Sequence, residues 1–554
     1  MRVRARALVD DRVVASLGAR DSGRRRTARP KARRRGGASA SAAATAKLTR
    51  EQCVEYVRSG CKTRDRFRCV AVSDEGVGRN AGGGRCTSGD DRGWVAGVEN
   101  LKKRGAAKTR DAGLLCTERE DARGLTSETL MTRRIGTEHE KLGYDVATER
   151  RMEYPVVEHV LRSLVDRHGW EPNDEGENII GCSKGGQSVS LEPGGQFELS
   201  GAPLENLRQT EAEVRWHIET VTALAEERGH KFLGIGFDPQ WSVAEVPMMP
   251  KGRYKIMRAY MPSKGTRGLD MMFRTCTIQV NLDFEDERDM VRKFRTSLAL
   301  QPIATAMFAN SAFVDGRDTG YQSMRSDVWK DTDDDRTGML AWVFEDDFGF
   351  EKYCDYVMDV PMYFVYRNGT YVDVSGESWH DFMEGKLPQL PGDTPTIDDW
   401  EQHLTTVFPE VRLKRYMEMR GADGGSFEAI MALPALWVGL LYSSKSLDAA
   451  EKLTSDWTQA ERDALRNDVT KDGLSTKFRD GTANDIAKEM VRLAADGLKE
   501  RGLGEEVYLK YLQTVVERGS SNAARMSELN ASEWKDDLSK VYEYATFPDV
   551  LPTF

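Results

Sequence analysis

The sequence predicts an α+β protein. Three observations predict it. From Arg134 to about Gly425, period-two strand patterns alternate with helical stretches. One hairpin is marked by Asn368-Gly369, set between Tyr363–Arg367 and Thr370–Val374. From about Ser426 onward, helical patterns dominate. The Asn-Gly pair suits a type I′ turn because both residues tolerate positive φ. Asn368-Gly369-Thr370 is also a glycosylation sequon, which the turn explains without a glycan. In the helical part, Thr458 followed by Glu461 reads as a helix start. Ile486, Met490, Leu493 and Ala494 fall on one helix face.

Ahead of this body the chain changes character. Residues 1–50 hold 15 Lys/Arg against 3 Asp/Glu, a net of +12 in a chain that totals −9, so the remainder carries −21. An acidic body argues against nucleic-acid binding, which needs a basic footprint. The basic head, 1–46, is Arg-rich and acid-poor and ends in the small-residue run Ala38 to Ala46. That composition suits a disordered organelle transit peptide; a basic arm or nucleic-acid tail is the plainer alternative. Thr49, with Gln52 three residues on, forms a capping box that starts a helix ending near Arg58, within a segment 47–68 that belongs to the catalytic domain. Residues 69–133 hold Gly82-Gly83-Gly84, scattered charge and no apolar periodicity, and read as a disordered insertion. The body is then 134–554, helical from about 426. The most apolar run, Ala432 to Tyr442, contains Pro434 and falls short of the ~20 residues that a membrane span needs. None of the eight cysteines forms a CxxC pair, which argues against a zinc ribbon or thioredoxin-type site.

Four strand-like segments present polar faces. In Gly136-Thr137-Glu138-His139-Glu140, two carboxylates two residues apart point the same way on a strand and repel unless a cation such as Mg²⁺ lies between them. A solvated edge strand explains this pair better when it is taken alone. In Leu191-Glu192-Pro193-Gly194-Gly195-Gln196-Phe197-Glu198, Gln196 and Glu198 share a face and the Pro-Gly-Gly breaks the strand, with an exposed tight turn as the alternative. Thr277, Gln279, Asn281 and Asp283 alternate with Ile278, Val280 and Leu282, which reads as a central strand lining a ligand or as a surface strand. Arg412 to Arg420, read as one strand, puts Arg412, Lys414, Glu418 and Arg420 on one side, as a phosphate clamp around a metal or as surface ion pairs. Lys251 and Arg253 on one loop, and Arg325 on another, are further cations. Gly181 to Gly186 has the wrong spacing for a P-loop, Gly234-Ile235-Gly236 lacks a third glycine, and no HExxH occurs.

The blocks RIGTEHEKLGY, SLEPGGQFELSGAPLENL, MPKGRYKIMRAYMP, GLDMMFRTCTIQVNLDF, SMRSDVWKDTDDDRTGM and HLTTVFPEVRLKRYMEMRGADGG resemble the plant-type glutamate–cysteine ligase family. The resemblance covers 48–68 and 134 to the C-terminal region. It implies a glutamine-synthetase-like antiparallel sheet that holds metal and nucleotide, with helices outside. It also implies the first step of glutathione synthesis: ATP phosphorylates the γ-carboxylate of L-glutamate and the L-cysteine amine displaces phosphate. Site residues carried over are Glu138, Glu140, Glu192, Glu198 and Glu418 for Mg²⁺; Lys251, Arg412, Lys414 and Arg420 for ATP phosphates; and Arg325, Arg253, Gln279 and Asn281 for substrate. Glu138, Glu418 and Arg420 are the expected catalytic groups. The resemblance implies a chloroplast enzyme, a mitochondrial one being the weaker reading, working as monomer or homodimer without nucleic acid or membrane. The alternatives are a ligase for another amine and a nucleotide-binding pseudoenzyme. Two departures stand out. The positions of the family's paired switch cysteines are Glu211, Val374, Gln389 and Met431, which predicts that this switch is absent. Residues 69–133 interrupt a join that the family makes almost directly, as a translated intron would.

Overall fold

The computed structural model describes residues 47–62 and 133–554. The transit-peptide expectation for 1–46, and all but the last residue of the 69–133 insertion, lie outside the described residues. A nine-stranded, wholly antiparallel sheet organises the rest. Its strands are β1 (Ile135–Asp145), β2 (Glu171–Glu175), β3 (Asn178–Lys184), β4 (Gln187–Leu191), β5 (Gln196–Ser200), β6 (His230–Leu233), β7 (Thr277–Leu282), β8 (Val411–Leu413) and β9 (Met417–Asp423). They run in the order β8-β9-β7-β1-β5-β4-β3-β2, with β6 paired to the far end of β1. The expected α+β class with an antiparallel sheet is borne out. The expected Asn368-Gly369 hairpin also forms, with φ of 52° and 79° at the two turn residues.

Helices cover one face of this sheet. They include α2 (Tyr154–His168), α3 (Leu207–Glu226), α4 (Glu287–Phe308), α5 (Phe427–Leu441) and, behind α5, α6 (Ala483–Arg501). Apolar residues of the alternating strands, such as Ile278, Val280, Leu199, Val411 and Met419, join these helices in one core. The α5 helix is apolar all round because it is buried all round, with Pro434 inside it. No single helix among the described residues is long and apolar enough to cross a membrane. Gly439 of α5 and Gly497 of α6 let the two helices meet backbone to backbone: a Cβ on Gly497 would lie 1.9 Å from the Gly439 carbonyl oxygen.

The N-terminal helix α1 (Arg50–Arg58) starts with the expected Thr49/Gln52 capping box. Arg50 pairs with Asp355 at 2.6 Å and Arg58 with Glu351 at 2.7 Å, which straps α1 to the helix Phe350–Asp359. The chain on either side of 63–132 converges on one spot. The Lys62 N–H donates to the Glu285 carbonyl at 3.0 Å, and the Arg133 guanidinium binds the Glu285 carboxylate. Lys62 Nζ lies 3.2 Å from Asp283 Oδ1, while the Arg134 N–H donates to Asp283 Oδ2 at 2.7 Å.

One sequence expectation is corrected here. Arg412 to Arg420 is not one strand but a tight hairpin, β8–β9, with Arg412 opposite Glu418 and Leu413 opposite Met417. The turn Lys414-Arg415-Tyr416 carries no Gly, Pro or Asn to announce it. Packing shapes it instead: Gly60, just past α1, lies so close that a Cβ there would be 2.0 Å from the Arg415 carbonyl oxygen.

Candidate active site

The face of the sheet turned away from the core helices gathers the polar residues. Register sets them in rows. Ser190, Glu198 and Glu140 lie opposite one another on β4, β5 and β1. Ser200, Glu138 and Gln279 form the next row, on β5, β1 and β7. Asn281 faces Glu418 across β7 and β9, and Arg412 flanks Glu418 on β8. Glu192 sits in the β4–β5 turn, where Gly195 adopts φ 77° and donates its N–H to the Glu192 carbonyl. Sequence reasoning left open whether β7 was central or a surface strand; it is central, between β1 and β9.

Each carboxylate is held by few donors for its burial. Glu138 Oε1 accepts from Asn281 Nδ2 at 2.8 Å, Glu140 Oε2 from the Thr277 N–H at 2.9 Å, and Glu198 Oε2 from Ser190 Oγ at 2.9 Å. Burial, then repulsion by Glu418 and Glu198, pushes the Glu138 carboxyl up to about 7. Burial, then Glu198 and Glu192, pushes Glu140 well above the usual carboxylate range, and burial with Glu192 raises Glu198. Burial and mutual repulsion disfavour the charged forms of these groups, a cost that a hard divalent ion among their oxygens would offset. The buried, unpartnered Asn281 Oδ1 adds a neutral oxygen. Among the described residues no three His, Cys, Asp or Glu side chains already converge as a finished metal cage. The arrangement is therefore a row of single ligands.

Glu418 behaves differently. It is fully buried and held well below the usual range, since Arg412, Arg420 and Lys414 together outweigh its desolvation. Arg412 Nε and Nη2 grip its two oxygens at 2.5 and 3.0 Å, and the remaining Arg412 bonds run to the carbonyls of Thr405 and Val407. Arg412 thus spends its donors on protein groups, and its geometry supports holding Glu418 more than clamping phosphate.

The other cations face the carboxylate rows. A register shift between Met419 and Ala422 bulges β9, and Arg420 within it reaches Gln279 Oε1 at 2.7 Å and Glu418 at 3.2 Å. Arg325 sits in the short helix Met324–Val328, 3% exposed; its Nη2 donates to the Arg420 carbonyl at 2.9 Å and its Nε is unpartnered. Lys251 precedes the helix Gly252–Tyr260, whose first N–H donates to Glu175 Oε1 at 2.6 Å. Burial, then the neighbouring Arg253, lowers the Lys251 ammonium to about 8. The buried Arg253 Nε has no partner. A cavity lined by Glu140, Glu192, Thr277, Gln279, Arg325 and Arg420 connects the two groups. A larger cleft beside Arg133, Glu285 and Arg292 holds none of these carboxylates.

The structure thus brings Glu138, Glu140, Glu192, Glu198 and Glu418 onto one sheet face with Gln279 and Asn281, and sets Lys251, Arg253, Arg325, Lys414 and Arg420 around it. Sequence reasoning missed the Thr277 N–H and the Ser190 hydroxyl that hold Glu140 and Glu198. Both lie on expected strands, but only register reveals the contact.

The glutamate–cysteine ligase family 2 model matches residues 134–544. The chain is 57% identical over 410 residues to the chloroplastic glutamate–cysteine ligase B of Oryza sativa subsp. japonica, covering 74% of this chain and 83% of that one. It is 57% identical to the chloroplastic glutamate–cysteine ligase of Arabidopsis thaliana, covering 74% and 78%. A solved glutamate–cysteine ligase from Francisella tularensis in complex with AMP is 11% identical with a TM-score of 0.43, over 76% of this chain and 90% of that one, too distant to bear on chemistry. With the family model matched across nearly the whole sheet-and-helix body, the chain belongs to glutamate–cysteine ligase family 2.

Proposed function

We propose that this chain joins the γ-carboxylate of L-glutamate to the amine of L-cysteine at the expense of ATP, the first step of glutathione biosynthesis, in the chloroplast. The observation that carries the reading is the carboxylate row on β1, β5 and β9, half-buried except for the fully buried Glu418 and ringed by cations, in a chain so close to chloroplastic glutamate–cysteine ligases.

A carboxylate is a poor electrophile, so its oxygen first attacks the γ-phosphorus of ATP and ADP leaves. The amine of cysteine then attacks the acyl carbon, phosphate departs, and the amine proton is lost. Arg325 receives the glutamate α-carboxylate through its unpartnered Nε. Gln279 and Asn281 line the substrate beside it. Lys251, Arg253, Lys414 and Arg420 surround the phosphates and stabilise charge as it moves to the leaving oxygens. Arg412 holds Glu418, and Glu418 in turn fixes Arg420. Glu138, Glu140, Glu192 and Glu198, with Glu418, would hold Mg²⁺, which offsets phosphate charge when bound.

The test is production of γ-glutamylcysteine by the purified chain beginning near Ala46, with and without residues 69–133, with other amines tried in place of cysteine. Glu138→Gln should abolish product, and full activity in that variant would refute the metal assignment. Faster turnover with another amine would make the chain a sister ligase. ATP binding without any turnover would make it a pseudoenzyme.

A further inference from the structure

We propose that Asp423 is a positioning residue that sets Arg325 for the glutamate α-carboxylate, acting through the hydroxyls of Ser311 and Ser323. The inference rests on the reading of Arg325 as the α-carboxylate ligand.

Asp423 ends β9, three residues past Arg420 and beyond the bulge, and is 1% exposed. Its Oδ2 accepts from the Asn310 N–H at 2.8 Å and from Ser311 Oγ at 2.6 Å, and its Oδ1 accepts from Ser323 Oγ at 2.8 Å. An ionised carboxylate only accepts, so each serine must spend its single proton on Asp423. That leaves the serine lone pairs to accept, and they do. Ser311 Oγ accepts the N–H of Arg325 at 3.1 Å, and Ser323 Oγ caps the short helix by accepting the Ser326 N–H at 3.2 Å. The Ser311 backbone adds two bonds, donating to the Gln322 carbonyl and accepting the Met324 N–H, each at 3.1 Å. The helix that carries Arg325 has only five residues, too short to hold its own direction, and this relay supplies it. At its other end the Arg325 guanidinium donates to the Arg420 carbonyl at 2.9 Å. Backbone and guanidinium are thus both referenced to β9, the strand that carries Glu418 and Arg420. The guanidinium so held keeps its Nε unpartnered, and Arg325 lines one cavity with Gln279 and Arg420.

The relay is tested by steady-state kinetics of the full chain, varying glutamate, cysteine and ATP in turn, for Ser323→Ala, Ser323→Thr, Asp423→Asn and Arg325→Lys. Ser323→Ala removes the proton donor, and Asp423→Asn presents a donor where a hydroxyl must be accepted. Both should raise the glutamate KM by about tenfold and leave kcat and the ATP KM within about twofold, as a displaced contact to one substrate does. Ser323→Thr keeps the hydroxyl and should recover the glutamate KM to within about threefold of wild type. Arg325→Lys should raise the glutamate KM by about a hundredfold. A glutamate KM unchanged in Ser323→Ala but raised in Arg325→Lys would overturn the relay and leave the role of Arg325 standing. No change in Arg325→Lys would remove the reading on which the relay rests. A parallel rise in all three KM values, or failure of Ser323→Ala to fold, would assign Asp423 to the architecture and overturn the proposal.

Discussion

On the front of β1, Glu138 and Glu140 crowd against Glu198 and Glu418, with cations waiting at the rim. On its back, Thr137, His139 and Lys141 lie deeper than the half-buried Glu138 and Glu140 and meet no such company. Lys141 Nζ donates to the Phe197 carbonyl at 3.1 Å and lies 2.9 Å from His217 Nε2, and burial brings its ammonium down to about 7. Burial likewise drives His139 and His217 well below their usual range. The back therefore settles its polar groups toward neutrality within the fold. The front stays unsettled until ligands bring charge from solution. One strand thus serves architecture on its buried side and reactivity on its half-buried side.

The sharpest way to break this comparison is to neutralise the front. Glu138→Gln removes a repelled charge, so turnover should fall by about a thousandfold or more while melting temperature holds or rises. A variant that loses both together would place Glu138 in the architecture. Next comes the one front carboxylate that the fold does satisfy. Arg412→Met strips Glu418 of its bidentate partner, leaves Arg420 at 3.2 Å as its remaining ion pair, and should cost up to about 3–5 kcal/mol in denaturant unfolding, most of it recovered by adding Glu418→Gln.

Glu213 on α3 tests the back. One of its oxygens accepts the Ala202 N–H at 2.9 Å, the other has no partner, and burial raises the carboxyl to about 7. Its folded value exceeds its unfolded one, so its favourable contribution is complete below about 4.5 and is lost as pH rises through about 7. Glu213→Gln should therefore gain up to about 3 kcal/mol over wild type at pH 8 and nothing at pH 4. Equal effects at both values would contradict the titration. The smallest effect belongs to Ile278→Val, behind the site on β7, which should cost about 1 kcal/mol and leave turnover within about twofold.

Much of this site was legible because alternation survives in the sequence. Glu138/Glu140, Gln196/Glu198 and Gln279/Asn281 sit two apart on real strands, and the family blocks joined them. Three things were not legible. The β8–β9 turn is held by contact with Gly60 and carries no turn residue of its own. The attachment of Arg412 to Glu418 follows from that hairpin register and could not precede it. Asp423 looks like any acid at a strand end; its weight comes from two serines 100 and 112 positions away, brought close by tertiary folding alone.

The meeting of Lys62 and Arg133 at Glu285 has a consequence for where this chain can change its length. Because both flanks are pinned to one residue, Lys62 and Arg133 stand side by side whatever number of residues joins them. Ring closure grows only logarithmically with contour, about 0.6 kcal/mol for each doubling, so a long tether there costs little more than a short one. The strand bearing Glu138 and Glu140 starts two residues downstream of that pin, at Ile135, and inherits its place from Glu285 and Asp283 rather than from whatever precedes it. A chain shortened to join the two flanks directly would keep the same anchor.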